Sequence, residues 1–571
     1  MKQWILKEKI PAKISKELNT KPDIVRQFLF NRGIKTSREA EIFLNPDYER
    51  DLHNPFEILD MEKAVRRITD AVKKNEKIVI FGDYDADGIC ATVVFYDFFK
   101  KVGFENFHVH IPDRNLDGYG LTPPAIDEFI KQKVNLIITL DCGISDFDEV
   151  GKANNAGIEV IIIDHHLVPE KIPNAYAIVN SKQLADKYPF KFLSGTGIAF
   201  KTICAIIQKG EFNIMPGWEK WLLDVVAIAT VADMVPLVDE NRTLVFYGLK
   251  VLQKTQRPGL ISFYKRFALN AQNISEDDLS FVVAPRINVA SRIDHATISF
   301  DLLTTNLPEE AVWISERLDV MNSERKDAVE KIIAEIDKDA HYKDGDIIVA
   351  GSANWHPGVL GIAANRLLEK YNCPVFLWGK GIAEEIKGSC RSNGSINLVE
   401  FMGKLPEDIL IDFGGHALAG GFSVKKDGAE KFKDEVLALY EKFPKQKVEN
   451  GVLYLDEKLG IDDVNWDFYS LIIEKFRPFG VENQKLVFGF DDLEIERVKK
   501  FGNNGVHLQL DFKKKEGDIV SAIGFFMAKD NNFNLGPGQR VNLAASLEKN
   551  YFRNNLELRL RIVDVKLEDS D

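Results

Sequence analysis

The hydrophobic pattern predicts an α/β domain between about residues 71 and 240. Short continuous apolar runs such as KIVIFGD, VNLIITLD and IEVIIIDHH alternate there with helical stretches. Such runs, rich in β-branched residues, are typical of strands buried on both faces of a parallel sheet. Further strands are predicted at FHVHI and AYAIVN. The alternation of strands and helices favours a parallel sheet with helices on its faces.

The pattern outside this region predicts four more segments. Residues 1–70 form a helical lead-in, and residues 241–340 form a helical connector that contains one long helix, EEAVWISERLDVMNSERKDAVEKIIAEIDKDA. A second, smaller α/β domain spans 341–450 and begins at GDIIVAGS. Residues 451–571 carry short strands separated by Gly, Asn and Asp. This spacing indicates a small closed β-barrel.

Composition narrows the class of protein. With 45% hydrophobic residues in 571, the chain buries several cores, and its net charge of −13 argues against a strongly basic nucleic-acid coat. A local basic groove is compatible with that total. The five cysteines are scattered without a CxxC pair, which indicates reduced thiols in a cytoplasmic protein. We expect neither a signal peptide nor a membrane span.

Acidic residues and histidines collect at or beside the predicted strand ends. They are Asp83, Asp85, Asp87, Asp141, Asp164, His165, His166 and Asp233. Ligands bind beyond the carboxyl ends of strands in an open parallel sheet, so we expect these side chains to converge. Taken singly, an Asp after a strand is more often a turn former or helix N-cap, and a His pair is more often structural.

The negative charge of this many converging carboxylates must be offset. Otherwise, mutual repulsion raises their pKa values or disorders the site, whereas bound divalent cations remove the repulsion. Oxygen ligands with imidazole and without thiolate favour Mn²⁺ or Mg²⁺, and Zn²⁺ is a less favoured alternative. Two such ions roughly 4 Å apart suit in-line attack of water on a phosphorus centre.

The motifs that carry these residues resemble a known superfamily. DYDADG, DCG, DHH and ADMVPL, in this order, resemble the four motifs of the DHH phosphoesterases. The resemblance extends over nearly the whole chain to the single-strand-specific 5′→3′ exonucleases of that superfamily. Two departures are Ser291, where glycine is usual, and Gln484, where proline is common. The further stretches are IPDRNLDGYG, LSGTGIAFK, APRINVASRI, WHPGVLGIAANRL, KGSCRSNGSINL, FGGHALAGGF and RPFGVENQKLVF.

The resemblance implies a fold and a metal centre. It implies a parallel-sheet DHH domain joined by a long helix to a smaller α/β DHHA1 domain, followed by a β-barrel of the OB-fold type. One metal ion would be held by Asp85 and Asp141, and the second by Asp87, Asp141, His165 and Asp233. Asp141 would bridge the two ions, and Asp141, His165 and His166 would form the catalytic set. Asp83, Asp164 and His166 would support the ligands or face the phosphate.

The resemblance also implies residues that handle the substrate. They are Arg114, Arg286, Arg292, His356, Ser389, Arg391 and His416, with Ser389 and Arg391 in a 5′-phosphate pocket. From the residues alone, GSCRS and FGGH are more typical of surface turns, and SGTG either presents helix N–H groups to a phosphate or simply begins a helix. In the barrel, the candidates for gripping a single strand are FKKKEGD, Tyr551, Phe552, Arg553, Arg559 and Arg561. Such cations also protect exposed strand edges.

The implied function is a metal-dependent exonuclease that degrades single-stranded DNA 5′→3′ to mononucleotides in DNA repair and recombination. Its substrate would carry a 5′-phosphate, a single-strand-binding protein and a helicase would be partners, and the chain would be a monomer without membrane association. One alternative is another DHH phosphodiesterase, such as a nano-RNase, a cyclic-dinucleotide phosphodiesterase or a pyrophosphatase. The other is a non-catalytic single-strand-binding scaffold.

Overall fold

The structure is a computed structural model in which two compact units are distinguished. It describes residues 2–114, 116–339, 346–381, 385–406, 408–425, 428–446, 451–502, 505–529, 535–552 and 555–567. The α/β unit contains residues 54–233 and 251–449, and the barrel unit contains residues 1–53, 234–250 and 450–571. The described residues contain no helix that is long and apolar enough to cross a membrane.

The secondary structure follows the predicted succession of elements. The strands are β1 (Gln3–Leu6), β2 (Ile78–Gly82), β3 (Phe107–His110), β4 (Leu136–Leu140), β5 (Glu159–Ile163), β6 (Ala177–Val179), β7 (Ile348–Ser352), β8 (Val375–Lys380), β9 (Ile386–Arg391), β10 (Leu410–Gly415), β11 (Ala419–Val424), β12 (Val452–Leu455), β13 (Glu457–Lys458), β14 (Phe488–Phe501), β15 (His507–Lys513), β16 (Ile519–Gly524), β17 (Arg540–Phe552) and β18 (Asn555–Leu567). The helices are α1 (Ala12–Glu17), α2 (Asp23–Phe30), α3 (Ser37–Leu44), α4 (Tyr48–Asp51), α5 (Met61–Lys73), α6 (Ala86–Lys101), α7 (Pro123–Lys131), α8 (Phe147–Asn155), α9 (Gly195–Gln208), α10 (Leu223–Ala232), α11 (Asp239–Leu252), α12 (Pro258–Arg266), α13 (Glu276–Asp278), α14 (Ala284–Ile287), α15 (Ala290–Ile293), α16 (Thr297–Thr304), α17 (Pro308–Asp339), α18 (Pro357–Tyr371), α19 (Leu398–Met402), α20 (Ala429–Lys442), α21 (Trp466–Phe468) and α22 (Glu474–Phe476).

The first sheet of the α/β unit is parallel, as predicted. Its strand order is β3-β2-β4-β5-β6, and every residue of the central strands β2 and β4 is buried. Gly82 pairs with Leu140, and Leu140 pairs with Ile163, so the carboxyl ends of β2, β4 and β5 are level. The three residues that follow these strands therefore meet at one edge of the sheet.

The second sheet of the α/β unit follows the long helix α17. Its strand order is β10-β11-β9-β8-β7, with β7 and β8 parallel and the other pairs antiparallel. Apolar residues of α17, among them Val329 and Ile332, share a buried core with Val359 and Leu360 of α18. The predicted long connecting helix is confirmed, and it packs directly on the second α/β domain.

The barrel unit is built around five strands that close on themselves. The order is β14-β15-β16-β18-β17, β14 also pairs with β17, and β13 extends β14 on one side. The N-terminal helices pack on this barrel, since the ring of Phe28 lies 6.1 Å from Phe476 and 5.9 Å from Phe488. Within the predicted lead-in, β1 forms a two-stranded parallel sheet with β12.

A buried arginine joins separate chain segments within the barrel unit. The Arg242 guanidinium donates hydrogen bonds to the carbonyl oxygens of Phe43, at 3.0 Å, and Phe476, at 3.1 Å. It also donates to the carbonyls of Lys475, Arg477 and Pro478, and it lies 3.9 Å from the centre of the Phe43 ring. Backbone carbonyls thus satisfy a charge that the core would otherwise exclude.

Candidate active site

The N-terminus of α6 orders the first acidic motif. Asp85 caps this helix, because its Oδ1 accepts hydrogen bonds from the backbone N–H groups of Asp87, at 2.8 Å, and Gly88, at 3.1 Å. The chain is therefore helical from Ala86 onward, and Asp85 and Asp87 do not share one face of an extended segment. The cap turns both carboxylates toward the edge where β2 and β4 end.

The N-terminus of α9 holds Asp87. The backbone N–H groups of Gly195 and Thr196 donate to the two Asp87 carboxylate oxygens at 2.7 and 2.8 Å, and the Thr196 hydroxyl donates to the Asp87 carbonyl at 2.7 Å. In this structure, the SGTG segment therefore presents its helix N–H groups to a side-chain carboxylate. The partial positive charge of the helix N-terminus stabilises that carboxylate.

The predicted ligands converge into three overlapping groups. In each group, one ligand atom per residue lies within 4.8 Å of the others. The groups are Asp87, His165 and Asp233; Asp83, Asp85 and Asp141; and Asp141, His165 and His166. Asp141 belongs to two of them, which is the position required of a bridging ligand. Asp83, expected to support the ligands, lies beside Asp85 and Asp141 and is a further candidate ligand.

His165 is oriented as a metal ligand should be. Its Nδ1 donates to the Leu193 carbonyl at 3.1 Å, which leaves the lone pair on Nε2 free. The Nε2 atom lies 3.2 Å from Asp141 Oδ1, 3.7 Å from Asp233 Oδ2 and 3.9 Å from Asp87 Oδ2. Burial lowers the pKa of His165, so the neutral imidazole that binds metals is favoured.

His166 is held by Asp164. Its Nδ1 lies 2.8 Å from Asp164 Oδ1, and that oxygen also accepts from the backbone N–H groups of His165 and His166. Burial opposes both charges, but the hydrogen bond and the ion pair outweigh it, lowering the pKa of Asp164 and raising that of His166. The His166 side chain is 45% exposed and borders the crevice beyond the carboxyl ends of β2, β4 and β5, where a phosphate can approach.

The residues present fit bound cations. Burial, followed by repulsion from neighbouring carboxylates, raises the pKa values of Asp83, Asp85 and Asp141, and raises that of Asp233 to about 8. Among the described residues, the buried Oδ1 atoms of Asp83 and Asp141 have no hydrogen-bond partner. Unsatisfied acceptors of this kind are costly unless a cation binds them.

We expect the metal-free protein to lose stability as pH rises from about 4 to about 8. The cluster carboxylates keep their protons to higher pH in the folded state than in the unfolded chain, where Asp has a pKa near 3.9. Below the folded-state pKa, the folded protein therefore binds more protons than the unfolded chain does. The stabilisation that results is lost as the pH rises through the Asp233 pKa of about 8. Mn²⁺ replaces those protons, so it should raise the melting temperature more at pH 8 than at pH 6. Calorimetry with Mn²⁺ or chelator measures this; an equal shift at both pH values contradicts it.

Three predicted arginines lie near the acidic cluster or on the second sheet. Arg114 lies 5.0 Å from the centre of the Tyr84 ring, and Arg292 donates to the Gly358 carbonyl at 3.1 Å. Burial and the charge of Arg114 lower the pKa of Arg292 to about 10. In the part of the chain that the structure describes, no carboxylate lies within 4.0 Å of Arg114, Arg292 or Arg391. These guanidinium groups are thus available to an anionic ligand.

Ser389 and Arg391 face helix α18 across a gap left by Gly361. A Cβ at Gly361 would lie 3.0 Å from Arg391 Nη2 and 3.5 Å from Ser389 Oγ. Close by, a cavity of about 130 Å³ extends beside the N-terminus of α18. It is lined by Arg114, Pro357, Gly358, Leu360, Lys387 and Gly388.

The remaining predicted substrate residues are more dispersed. His356 caps α18, and its Nδ1 accepts from the Gly358 N–H at 3.1 Å. His416 is exposed on the turn between β10 and β11, and Ala419 beyond that turn pairs with Arg391. Arg286 is bonded to Asp319 at 3.3 Å and stacks on the Phe267 ring at 3.7 Å, so protein partners engage its guanidinium. Its predicted role at the substrate stays a prediction.

The structure adds cations that the sequence reasoning missed. Lys182 interacts electrostatically with Asp233, Asp164 and Asp141, and burial lowers its pKa. On α17, burial and the positive charges of Arg366 and Arg286 lower the pKa of Arg325. Lys182 follows a short strand, and Arg325 stands in a charged helix, so neither carries a motif signal.

An aromatic patch on the barrel includes one of the predicted positions, Arg561. The His507 ring contacts Phe501, Phe525 and Phe526 at 5.2, 5.0 and 4.8 Å, and the Arg561 guanidinium lies 3.8 Å from the centre of the Phe525 ring. Among the barrel residues singled out, Arg559 pairs with Glu548 at 3.4 Å. Arg553 and the side chain of Phe552 lie outside the described residues.

Three family models match consecutive parts of the chain. The DHH family, N-terminal domain, matches residues 77–230, the DHHA1 domain matches residues 344–443, and the RecJ OB domain matches residues 455–564. The order of the three domains and the architecture described above confirm the predicted fold class.

Curated relatives and a solved structure extend the match to the full chain. The single-stranded-DNA-specific exonuclease RecJ of Bacillus subtilis is 32% identical over 562 residues, covering 97% of this chain and 69% of that protein. RecJ of Haemophilus influenzae is 30% identical, covering 98% of this chain and 99% of that protein. The crystal structure of Thermus thermophilus RecJ in complex with Mn²⁺ has a TM-score of 0.80 at 25% identity and covers 100% of this chain and 80% of that one. The chain therefore belongs to the RecJ family of single-stranded-DNA-specific exonucleases.

Proposed function

We propose that this chain removes mononucleotides from the 5′ end of single-stranded DNA by hydrolysis at a centre of two Mn²⁺ or Mg²⁺ ions. The observation that carries the proposal is the cluster of carboxylates whose raised pKa values and unpaired buried oxygens call for cations. The chain belongs to the RecJ family, and the proposal adds the direction of digestion, the product and the two-ion mechanism.

The geometry of the acidic cluster supports a proposed role for each site residue. Asp85 and Asp141 would hold one ion, and Asp87, His165 and Asp233 would hold the other with Asp141 between them. The ions would activate water and offset the charge that develops on the phosphate. His166, fixed by Asp164, would face the reacting phosphodiester, and Arg114, Arg292 and Arg391 would bind flanking phosphates.

End-labelled oligonucleotides test the proposal. With Mn²⁺, a single strand labelled at the 5′ end should release labelled mononucleotide at once, whereas a 3′ label should stay in long fragments until late in digestion. A blunt duplex of the same sequence should be resistant. Early release of the 3′ label, or faster cleavage of dinucleotides than of long strands, would contradict the proposal and favour another DHH phosphodiesterase. Binding without cleavage would favour a scaffold.

Arg391→Lys should weaken selection for a 5′-phosphate. A guanidinium binds phosphate through two parallel hydrogen bonds, whereas an ammonium offers a point charge. We expect KM for 5′-phosphorylated single strands to rise about tenfold, while KM for the 5′-hydroxyl strand changes less than twofold. Steady-state digestion of both strands measures this.

Arg266→Lys is the matched control for that substitution. Arg266 lies in the same unit but is paired with Glu316 at 3.1 Å and Asp319 at 3.2 Å. Its replacement should leave the preference for the 5′-phosphate unchanged. If Arg391→Lys raises KM equally for both strands, Arg391 does not read the 5′ end.

The cellular role extends this proposal. An enzyme that digests single strands from the 5′ end suits DNA repair and recombination, where a helicase and a single-strand-binding protein would supply and protect its substrate. These partners and the monomeric state stay predictions. Co-sedimentation with each purified partner and sedimentation of the chain alone measure them.

A further inference from the structure

The hydroxyl of Tyr119 contacts two parts of the acidic cluster. It lies 3.0 Å from the Asp141 carbonyl oxygen and 3.1 Å from His166 Nδ1. The Tyr119 ring also meets the His166 ring edge-on, with centroids 5.6 Å apart. Tyr119 therefore contacts both the bridging candidate and the histidine that faces the phosphate, without being a ligand itself.

The direction of both hydrogen bonds made by the Tyr119 hydroxyl is fixed. A carbonyl oxygen only accepts, so the single Tyr119 proton is donated to Asp141, and the hydroxyl oxygen accepts from His166 Nδ1. Asp164 accepts from the N–H groups of Ile144, His165 and His166 at 3.1, 2.7 and 3.0 Å, which marks it as an ionised acceptor. His166 Nδ1 consequently carries a proton shared between two acceptors, and Nε2 is the atom left for the crevice.

The carbonyl that accepts the Tyr119 proton belongs to a residue with an unusual backbone conformation. Asp141 has φ of 63°, in the left-handed region that residues with a side chain rarely adopt. The strand ends at Leu140, and this conformation turns the Asp141 carboxylate into the cluster. The Asp141 N–H donates to the Ile163 carbonyl at 2.9 Å, which anchors this turn to the sheet, so the turn persists without the bond from Tyr119.

The loop that bears Tyr119 packs closely against the Asp146 carboxylate. Gly118 and Gly120 on either side have φ of 84° and 80°. A Cβ at Gly120 would lie 2.6 Å from Asp146 Oδ2, the same oxygen that accepts the Leu121 N–H at 2.6 Å. Only glycine fits between the loop and this carboxylate, and the arrangement delivers the Tyr119 hydroxyl to the site.

We propose that Tyr119 is a positioning residue that fixes the tautomer and orientation of His166 for the reaction at the phosphodiester. The inference rests on the proposed role of His166 at the metal centre. Tyr119 acts through a hydrogen bond to His166, so removal of its hydroxyl should slow the chemical step and leave the binding of DNA and metal intact.

Tyr119→Phe removes the hydroxyl and keeps the ring. Under single turnover with saturating Mn²⁺, we expect the cleavage rate to fall five- to tenfold, the scale of one lost hydrogen bond, with KM for the single strand changed less than twofold. The control is Tyr96→Phe on α6, because the Tyr96 ring packs on Phe107 and Phe300 and its hydroxyl makes no hydrogen bond within the described ranges. That variant should cleave at the wild-type rate.

A double-mutant cycle with His166→Ala separates positioning from a structural role. In the His166→Ala background, Tyr119→Phe should change the rate less than twofold, because the side chain through which it acts is gone. The inference is overturned if the fivefold loss persists in that background, if KM rises while the rate is kept, or if Tyr119→Phe has the wild-type rate. Full activity of His166→Ala itself would instead overturn the proposed role of His166.

Discussion

Asp141→Asn is expected to abolish exonuclease activity, with a loss of at least about 1000-fold, and at the same time to stabilise the metal-free protein. Asp141 belongs to two of the three ligand groups, so its loss as an anionic ligand disrupts the binding of both cations. Burial and the charges of Asp87, Asp85 and Asp83 raise the pKa of Asp141. An amide removes that repulsion and can donate to neighbouring carboxylates.

The stabilising half of this prediction is measured by calorimetry in chelator at pH 8. There the melting temperature should rise by about 2 °C or more, the scale of 1 kcal/mol in a protein of this class. Asp148→Asn on the exposed first turn of α8 is the matched control and should change neither activity nor, beyond 1 °C, stability. A metal-free Asp141→Asn protein that melts lower than wild type would show that the carboxylates are not held in mutual repulsion. A variant that keeps a tenth of the activity with Mn²⁺ would show that the Asp141 carboxylate is not needed to bind the cations.

The fold prediction was correct where a local hydrophobic pattern determines the element. Strands β2, β4 and β5 are continuous apolar runs, and burial on both faces is what such runs require. Strand β1 was not predicted, because its four residues, QWIL, pair with Val452–Leu455 at the other end of the chain. Pairing over such a distance leaves no trace in a local pattern. The five carbonyls around Arg242 are likewise invisible until the chain folds.

The predicted ligands converge because strand order and register place them together. Asp83, Asp141 and Asp164 each follow a strand of one level sheet, so three separated motifs meet at one edge. The conformation of each residue was less predictable. Asp85 is both a helix cap and a candidate metal ligand, two roles that the sequence alone left as alternatives. Tyr119 was not predicted to be a site residue, because tyrosines are common in loops. Only the hydrogen bonds of its hydroxyl distinguish it.

Gly195→Ala should reduce activity about 100-fold even though Gly195 is not itself a proposed ligand. Gly195 is the first residue of α9, and a Cβ there would lie 2.4 Å from Asp141 Oδ1 and 2.6 Å from Asp141 Cγ. Neither Gly195 nor Asp141 can move easily, because the Gly195 N–H is bonded to Asp87 at 2.7 Å and Asp141 is held in its left-handed turn. The methyl group must push the Asp141 carboxylate aside. Displacements of about 1 Å in an active site cost roughly this factor.

Gly197→Ala, two residues along the same helix, is the matched control for Gly195→Ala. A Cβ at Gly197 would lie 3.3 Å from the Cβ and Cδ2 atoms of Leu193, a contact that a much smaller shift relieves than the 2.4 Å contact of Gly195 with Asp141. Alanine also favours the helix by up to about 1 kcal/mol, so this variant should be fully active and no less stable. Titration with Mn²⁺ should show a half-saturating concentration at least about tenfold higher for Gly195→Ala than for Gly197→Ala, since a displaced ligand weakens metal binding. Equal Mn²⁺ affinity in the two variants would mean that the Asp141 carboxylate tolerates displacement, and the bridging role proposed for it would then be wrong.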